Sequence, residues 1–310
     1  MFYSENAVKI LALKECGYLK TNAQFCREFS TQSAVDSYIA RHDDVKETIA
    51  RLKKEFELNE DSDYGVICIF DDEFPCINPK AKDSEKPHLL FYKGDRTLLQ
   101  NLNNNVAVIG LLDPTNNIEE RERRIVEKLI AKDLVIVSGL AKGCDEIAHR
   151  VCVENKAKTI AVLPTELNKI APASNRTLAK EIVENNGLLI TEYYKEAPNR
   201  YAATARYIER DRLQALFSKA VIMIASYVHG DGDSGSRHAM NYAEAYKIKR
   251  YIMYNENTDG GDRRFGLSKQ LKSAYDVNVI SPSSIEEIKS IENSSLVQKA
   301  TESPTQMKFI

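Results

Sequence analysis

The chain has 310 residues, of which 43% are hydrophobic and 28% charged, and its formal net charge is −2. That length supports one large α/β domain plus a smaller unit, with enough apolar residues for a real core. The near-neutral charge excludes a protein that coats nucleic acid through bulk positive charge, so any nucleic-acid site has to be a local patch. The six cysteines (Cys16, Cys26, Cys68, Cys76, Cys144 and Cys152) make no Cys-x-x-Cys pair and have no histidine at zinc-finger spacing. Reduced thiols in a cytoplasmic protein are therefore expected, with neither a metal site nor a disulfide framework. The start, Met1-Phe-Tyr-Ser-Glu-Asn6, lacks a basic region followed by an apolar run, and no stretch of about eighteen apolar residues occurs, so no targeting segment and no membrane partner are expected.

Residues 1–60 are charge-rich, with Val45, Ile49, Leu52 and Phe56 at helical spacing, which predicts a small helical N-terminal module. Tyr64 to Phe70 and Pro87 to Gly94 are short apolar runs separated by turn residues, including Asp72-Glu-Phe-Pro75, and predict strands packed on the edge of a larger sheet. From Val106 the alternation is regular. Val106–Ile109, Leu134–Val137, Thr159–Leu163, Gly187–Glu192, Ala220–Ala225 and Tyr251–Tyr254 predict six strands. Between them lie helical faces marked by Ile118, Val126 and Leu129, by Ile147 and Val151, and by Leu178 and Ile182, then helices near 205–217 and 236–246. Strands that are apolar throughout, separated by amphipathic helices, imply a doubly wound, mostly parallel, Rossmann-like sheet over residues 61–282. Residues 283–310 predict one helix near 284–292 and a flexible polar tail.

In such a sheet a ligand sits beyond the carboxyl ends of the strands, and four of those loops carry suitable groups. The first strand ends in Gly110, whose role could equally be a plain strand-ending glycine. The second runs into Ser138-Gly-Leu-Ala-Lys-Gly-Cys-Asp-Glu-Ile-Ala-His149, where Ser138, Gly139, Lys142 and Gly143 precede a helix and suit an anion at its N-terminus. Asp145 there is either an N-cap or an acceptor for a sugar hydroxyl, and His149 either pairs with it or is an ordinary buried histidine. Arg206, Arg210 and Arg212 could hold phosphate with Tyr207 stacking on a base, or could form a solvated face neutralised by Glu209 and Asp211. His229-Gly-Asp-Gly-Asp-Ser-Gly-Ser-Arg-His238, with Ser234, Gly235 and Ser236, is a donor-rich loop before a helix, while Asp231 and Asp233 would repel phosphate unless they cap the helix or hold a cation. No Gly-x-Ser-x-Gly elbow and no Walker A motif occurs, which disfavours ATP hydrolysis.

Taken together these loops resemble the DNA-processing protein A (DprA/Smf) family. Ser138 to His149 is similar to its Ser-Gly-x-Ala-x-Gly-x-Asp-x-x-Ala-His pattern, Arg210-Asp211-Arg212 to its Arg-Asn-Arg segment, and Ser234-Gly235-Ser236 to its Ser-Gly-Ser/Thr loop. The resemblance covers about residues 64–256. It implies a non-enzymatic, Rossmann-like protein that binds single-stranded DNA, loads a RecA-type recombinase and forms a homodimer, with no cofactor. The implied phosphate pocket comprises Gly110, Ser138, Gly139, Gly143, Arg210, Arg212, Ser234, Gly235 and Ser236. Three features depart from the pattern. Leu111-Leu112 follows Gly110 where the family has Ser/Thr-Arg; only Pro164 and Asn175 keep register after the third strand; and the C-terminal winged helix of many members has no counterpart in the tail. The alternative is a nucleotide-binding sensor or a phosphoribohydrolase-like enzyme on the same fold, with a role in phage defence as one setting. Against the hydrolase, Ala239 stands where that family's catalytic glutamate would fall, which leaves Glu192 as the available acid.

Overall fold

The computed structural model describes residues 2–58, 64–232 and 235–292. The six apolar runs expected as the main strands all form: β4 (Asn105–Ile109), β5 (Val135–Ser138), β6 (Thr159–Val162), β7 (Leu188–Thr191), β8 (Ala220–Met223) and β9 (Lys249–Ile252). Every residue of β4 through β8 is buried, which is why these strands read as unbroken apolar runs: helices cover both faces, so no position alternates to water. The two earlier runs form β2 (Tyr64–Cys68) and β3 (Leu89–Gly94), and β3 pairs antiparallel with β7 at the sheet edge. Two strands go beyond the sequence expectation. β1 (Phe2–Tyr3) pairs parallel with β2, and β10 (Val277–Val279) pairs parallel with β9. Both are too short to display a period.

Among the described residues the ten strands form one sheet in the order β1-β2-β3-β7-β6-β5-β4-β8-β9-β10. From β7 through β10 every neighbouring pair is parallel. The chain starts this region at β4, steps outward through β5, β6 and β7, then returns to the other side of β4 and steps outward again through β8, β9 and β10. The reversal falls between β4 and β8. In an open α/β sheet the crevice beyond the carboxyl ends at that reversal is where ligands bind.

The crossovers are α5 (Asn116–Ile130), α6 (Cys144–Glu154), α7 (Arg176–Glu184), α8 (Arg200–Leu216) and α9 (Ser236–Ala245), followed by α10 (Glu256–Asp259), α11 (Gly266–Leu271) and α12 (Pro282–Ser290). α5 packs on α6 and α6 on α7, while α8 packs on α9. Right-handed crossovers that step in opposite directions from β4 place these two groups on opposite faces. α8 starts five residues earlier than its apolar pattern suggests, because Asn199 caps it by accepting the Ala202 N–H at 2.9 Å. The expected helix near 284–292 is α12, and the tail beyond 292 lies outside the described residues.

The N-terminal residues form α1 (Glu5–Glu15), α2 (Asn22–Glu28), α3 (Gln32–Ile39) and α4 (Asp43–Glu57), with Ser4, Thr21 and Thr31 as side-chain N-caps of the first three. Their apolar faces merge with the sheet. Ile10, Phe25, Leu52 and Phe56 share one core with Val66, Phe91, Leu163 and Leu189. All six cysteines are free thiols, and no helix among the described residues is long and apolar enough to cross a membrane.

Candidate functional site

A cavity of about 730 Å³ opens at the strand-order reversal. Ile109 and Gly110 from the end of β4, Ala141 and Asp145 from the β5 to α6 connection, and Arg210 from α8 form part of its wall. The loop after β8 and the first turn of α9 close it through Gly235, Ser236 and Arg237. Ser236 ties the two central loops together, since its hydroxyl donates to the Gly110 carbonyl at 2.9 Å. The exposed side of α8 contributes Tyr207 and Ile208, which are 41% and 40% exposed although large and apolar in body. Clefts extend the cavity both ways: Tyr207 is shared with one that contains Arg200, Arg206 and Lys169, and Leu112 and Gly232 with one that contains Arg263 and Arg264.

The loop after β5 is built around Asp145. Gly143 stands at the N-cap of α6 with φ +73°, a conformation glycine adopts without strain, and Asp145 in the first helical turn folds back over the loop. Its Oδ2 accepts the N–H groups of Gly139 at 3.1 Å and Ala141 at 3.3 Å. An internal carboxylate thus occupies amides that sequence reasoning assigns to a bound phosphate. Asp145 is accordingly neither the N-cap nor a free acceptor. Asn175, 0% exposed, braces the same loop by donating to the carbonyls of Leu140 and Ala141 at 3.1 and 3.2 Å.

Arg210 lies directly over this loop. A Cβ on Gly139 would sit 1.3 Å from the Arg210 Nη1, so only glycine leaves room for the guanidinium. Arg210 is 5% exposed, with Nη1 3.7 Å from Asp145 Oδ2 and Nε 3.5 Å from Asp211 Oδ1. Those separations are ion-pair contacts without hydrogen-bond geometry, and Nε has no hydrogen-bond partner. The enclosed Nε of Arg237 across the cavity has none either. Two guanidinium-bearing residues therefore line one space beside the N-terminus of α9, an arrangement suited to phosphate oxygens.

Other sequence-expected site residues fall elsewhere. Ser138 is buried inside the sheet and donates to the Val108 carbonyl at 2.6 Å, so its hydroxyl braces strands instead of meeting a ligand. Arg212 points away from the cavity and is held by Glu85 O, Glu209 O and Glu192 Oε1 at 2.7, 2.5 and 2.7 Å. That pairing also removes Glu192 as a free acid. Arg206 lines the side cleft, donates to Lys195 O at 2.9 Å and stacks on Tyr193 with its guanidinium carbon 4.1 Å from the ring centre. Lys142 is exposed and Gly143 half-buried, both outside the cavity wall. Ser234 and Asp233 lie outside the described residues. His149 binds the Thr159 hydroxyl at 2.8 Å, not Asp145, and burial pulls its pKa down to about 3. Behind Gly110, burial pushes the Cys144 thiol and the Glu122 carboxyl well above their usual ranges.

Sequence reasoning missed Ile208 and Leu112 as wall residues and Asn175 as the brace of the loop. Adjacent apolar residues among charges on α8 were the available signal for the first.

Residues 65–298 match the family described as DNA recombination-mediator protein A. The chain is 34% identical over 177 residues to the DNA processing protein DprA of Streptococcus pneumoniae, covering 56% of this chain and 57% of that protein. It is 35% identical over 141 residues to protein Smf of Synechocystis, covering 44% of this chain and 34% of that one. The aligned stretch thus spans from a third to little more than half of these relatives. Among solved structures, the DNA processing protein A of Streptococcus pneumoniae superposes with a TM-score of 0.70 at 25% identity, over 93% of this chain and 98% of that one. DNA processing protein A from Helicobacter pylori, solved for its single-stranded DNA binding mode, gives 0.58 at 25% identity, over 72% and 95%. The sheet order, the glycine-bounded loop after β5 and these matches agree: the chain belongs to the DNA recombination-mediator protein A family.

Proposed function

We propose that this protein is a single-stranded DNA-binding member of its family, acting in DNA processing and recombination as a binding protein and not as an enzyme. The strand lies along the carboxyl edge of the sheet, across the cavity between β4 and β8. The observation that carries this reading is that two arginines, Arg210 and Arg237, line one cavity together with the exposed, apolar-bodied Tyr207 and Ile208. Phosphates meet the arginines and the first turn of α9, and bases stack on Tyr207, so recognition is tolerant of sequence. Duplex DNA keeps its bases inside the helix and cannot use that wall. The Helicobacter relative's single-stranded DNA binding mode supports the choice of ligand. Gly110, Gly139, Gly235 and Ser236 shape the pocket, and Ser234 belongs to the same loop. The further steps, handing the strand to a RecA-type recombinase in the cytoplasm from a homodimer with two such grooves, rest on the family resemblance.

The nucleotide-hydrolase alternative finds little in the site. Ala239 lines the cavity at the position a catalytic glutamate would need, and Glu192 is paired with Arg212. Fluorescence anisotropy with oligothymidylate and with duplex DNA tests the proposal. Parent protein is expected to prefer the single strand, and Arg237→Ala to weaken it by about tenfold, the loss of one charged hydrogen-bonding contact. Equal affinity for duplex, or an unchanged affinity in Arg237→Ala, would overturn it.

A further inference from the structure

A second cleft, about 280 Å³, lies between α5 and the carboxyl ends of β9 and β10. Its charge differs from that of the central cavity and its extensions, where aspartates or glutamates stand among the arginines. Here the lining includes Arg121, Arg124 and Lys128 and no carboxylate. These three positions follow one face of α5. Arg121 is fixed by a two-pronged pair with Asp259 at 2.8 Å on each prong. Arg124 makes only a loose 3.8 Å contact with Glu120 on an exposed surface, and Lys128 has no ion pair among the described residues. The opposite wall is apolar, formed by Met253, Ile280 and Ile285. One further feature favours an anion. α12 begins at the cleft with Ser281 as its N-cap and Pro282 in the lining, which brings the positive end of a helix to the space. Tyr254 also lines it, with Glu256, outside the lining, beside its hydroxyl.

We propose that this cleft is a second binding site, for a nucleoside phosphate. Arg124 and Lys128 hold the phosphate, and the base lies on Met253, Ile280 and Ile285. The volume falls just below the usual range for ligand pockets, enough for part of one nucleotide unit and too small for a peptide helix. A ligand with an anion at one end and a flat apolar body at the other matches the division of the walls. The inference stands apart from the central cavity, and the same chemistry can come from a free nucleotide or from one unit of a DNA strand.

Isothermal titration of the full chain with thymidine 5′-monophosphate, thymidine and oligothymidylate separates these sources. The variant is Arg124→Glu with Lys128→Glu, both exposed, and the control is Lys46→Glu with Lys54→Glu on α4, also exposed. The free-nucleotide source predicts that the monophosphate binds parent and control, that thymidine does not, and that the α5 variant loses at least about tenfold in affinity. The strand source predicts no monophosphate binding but weaker oligothymidylate binding in the α5 variant alone. The proposal is overturned if neither probe binds, or if the α5 variant binds both as the parent does. Arg237→Ala, run alongside, reports on the central cavity separately.

Discussion

Arg210 and Arg212 leave α8 two steps of about 100° apart, so one helix cannot aim both into the same cavity. The family pattern implies both as phosphate ligands; the helix geometry allows one. Arg212→Ala strands the Glu192 carboxylate in a buried setting and is expected to cost about 3–5 kcal/mol of stability. Urea denaturation measures this, and a loss below about 1 kcal/mol, the range of an exposed pair, would show that the pair is not structural. Gly139→Ala has the opposite profile. The new methyl group displaces the far end of a flexible side chain, so the fold stands while Arg210 moves off its place, and DNA affinity drops with little change in urea midpoint. His149 predicts a pH dependence. Its folded-state pKa, about 3, lies below the ordinary 6.5, so the unfolded chain takes up a proton between those values and the folded chain does not. This contribution to stability is complete above 6.5 and is lost as pH falls, at up to about 1.4 kcal/mol per unit. Urea midpoints at falling pH should therefore decline less steeply in His149→Gln than in the parent; equal slopes would contradict the assignment.

At the scale of elements, the strands are the most legible part of the chain. β4 to β8 each announce themselves because both faces are covered and no charged residue interrupts them, while β9 shows only its apolar end, since Lys249 and Arg250 open it. The helices α5 to α9 follow from apolar spacing, but the early start of α8 depends on one capping side chain, Asn199, which periodicity does not register. The candidate site is half legible. Glycines at Gly139 and Gly143 correctly mark a tight connection, yet the same composition fits a loop whose amides are already satisfied, and only the structure shows Asp145 satisfying them. Leu111 and Leu112 also separate at this scale: Leu111 enters the core at 2% exposed, while Leu112, 49% exposed, lines the cavity where the family pattern has a polar or basic residue. The N-terminal helices share their core with the sheet, so Phe56→Ala on α4 is expected to lower the stability of the whole chain by about 3–5 kcal/mol in a single cooperative transition. A separate early transition for α1 to α4 in circular dichroism would contradict that coupling.

At the scale of the molecule, the net charge of −2 and the site tell one story. Arg210 and Arg237 share the central cavity with Asp145 and Asp211, so the groove offers placed donors more than a positive field. Two phosphate contacts to a single strand give a slope of log affinity against log salt of about −1.4, far shallower than that of a basic, coating protein. Stacking on Tyr207 has to carry much of the remainder, and such contacts contribute about 1–3 kcal/mol per base. The reversal of strand order between β4 and β8 is what brings these groups together, since residues from 109 to 239 meet only because two crossovers diverge from one central strand. Photo-cross-linking of a single-stranded oligonucleotide carrying 5-iodouracil, with the modified residues mapped by mass spectrometry, tests this placement most directly. The expected result is cross-links at Tyr207 and in the loop between β8 and α9, lost when unlabelled single strand competes. Cross-links confined to the surfaces of α1 to α4, with none at the carboxyl edge of the sheet, would contradict it.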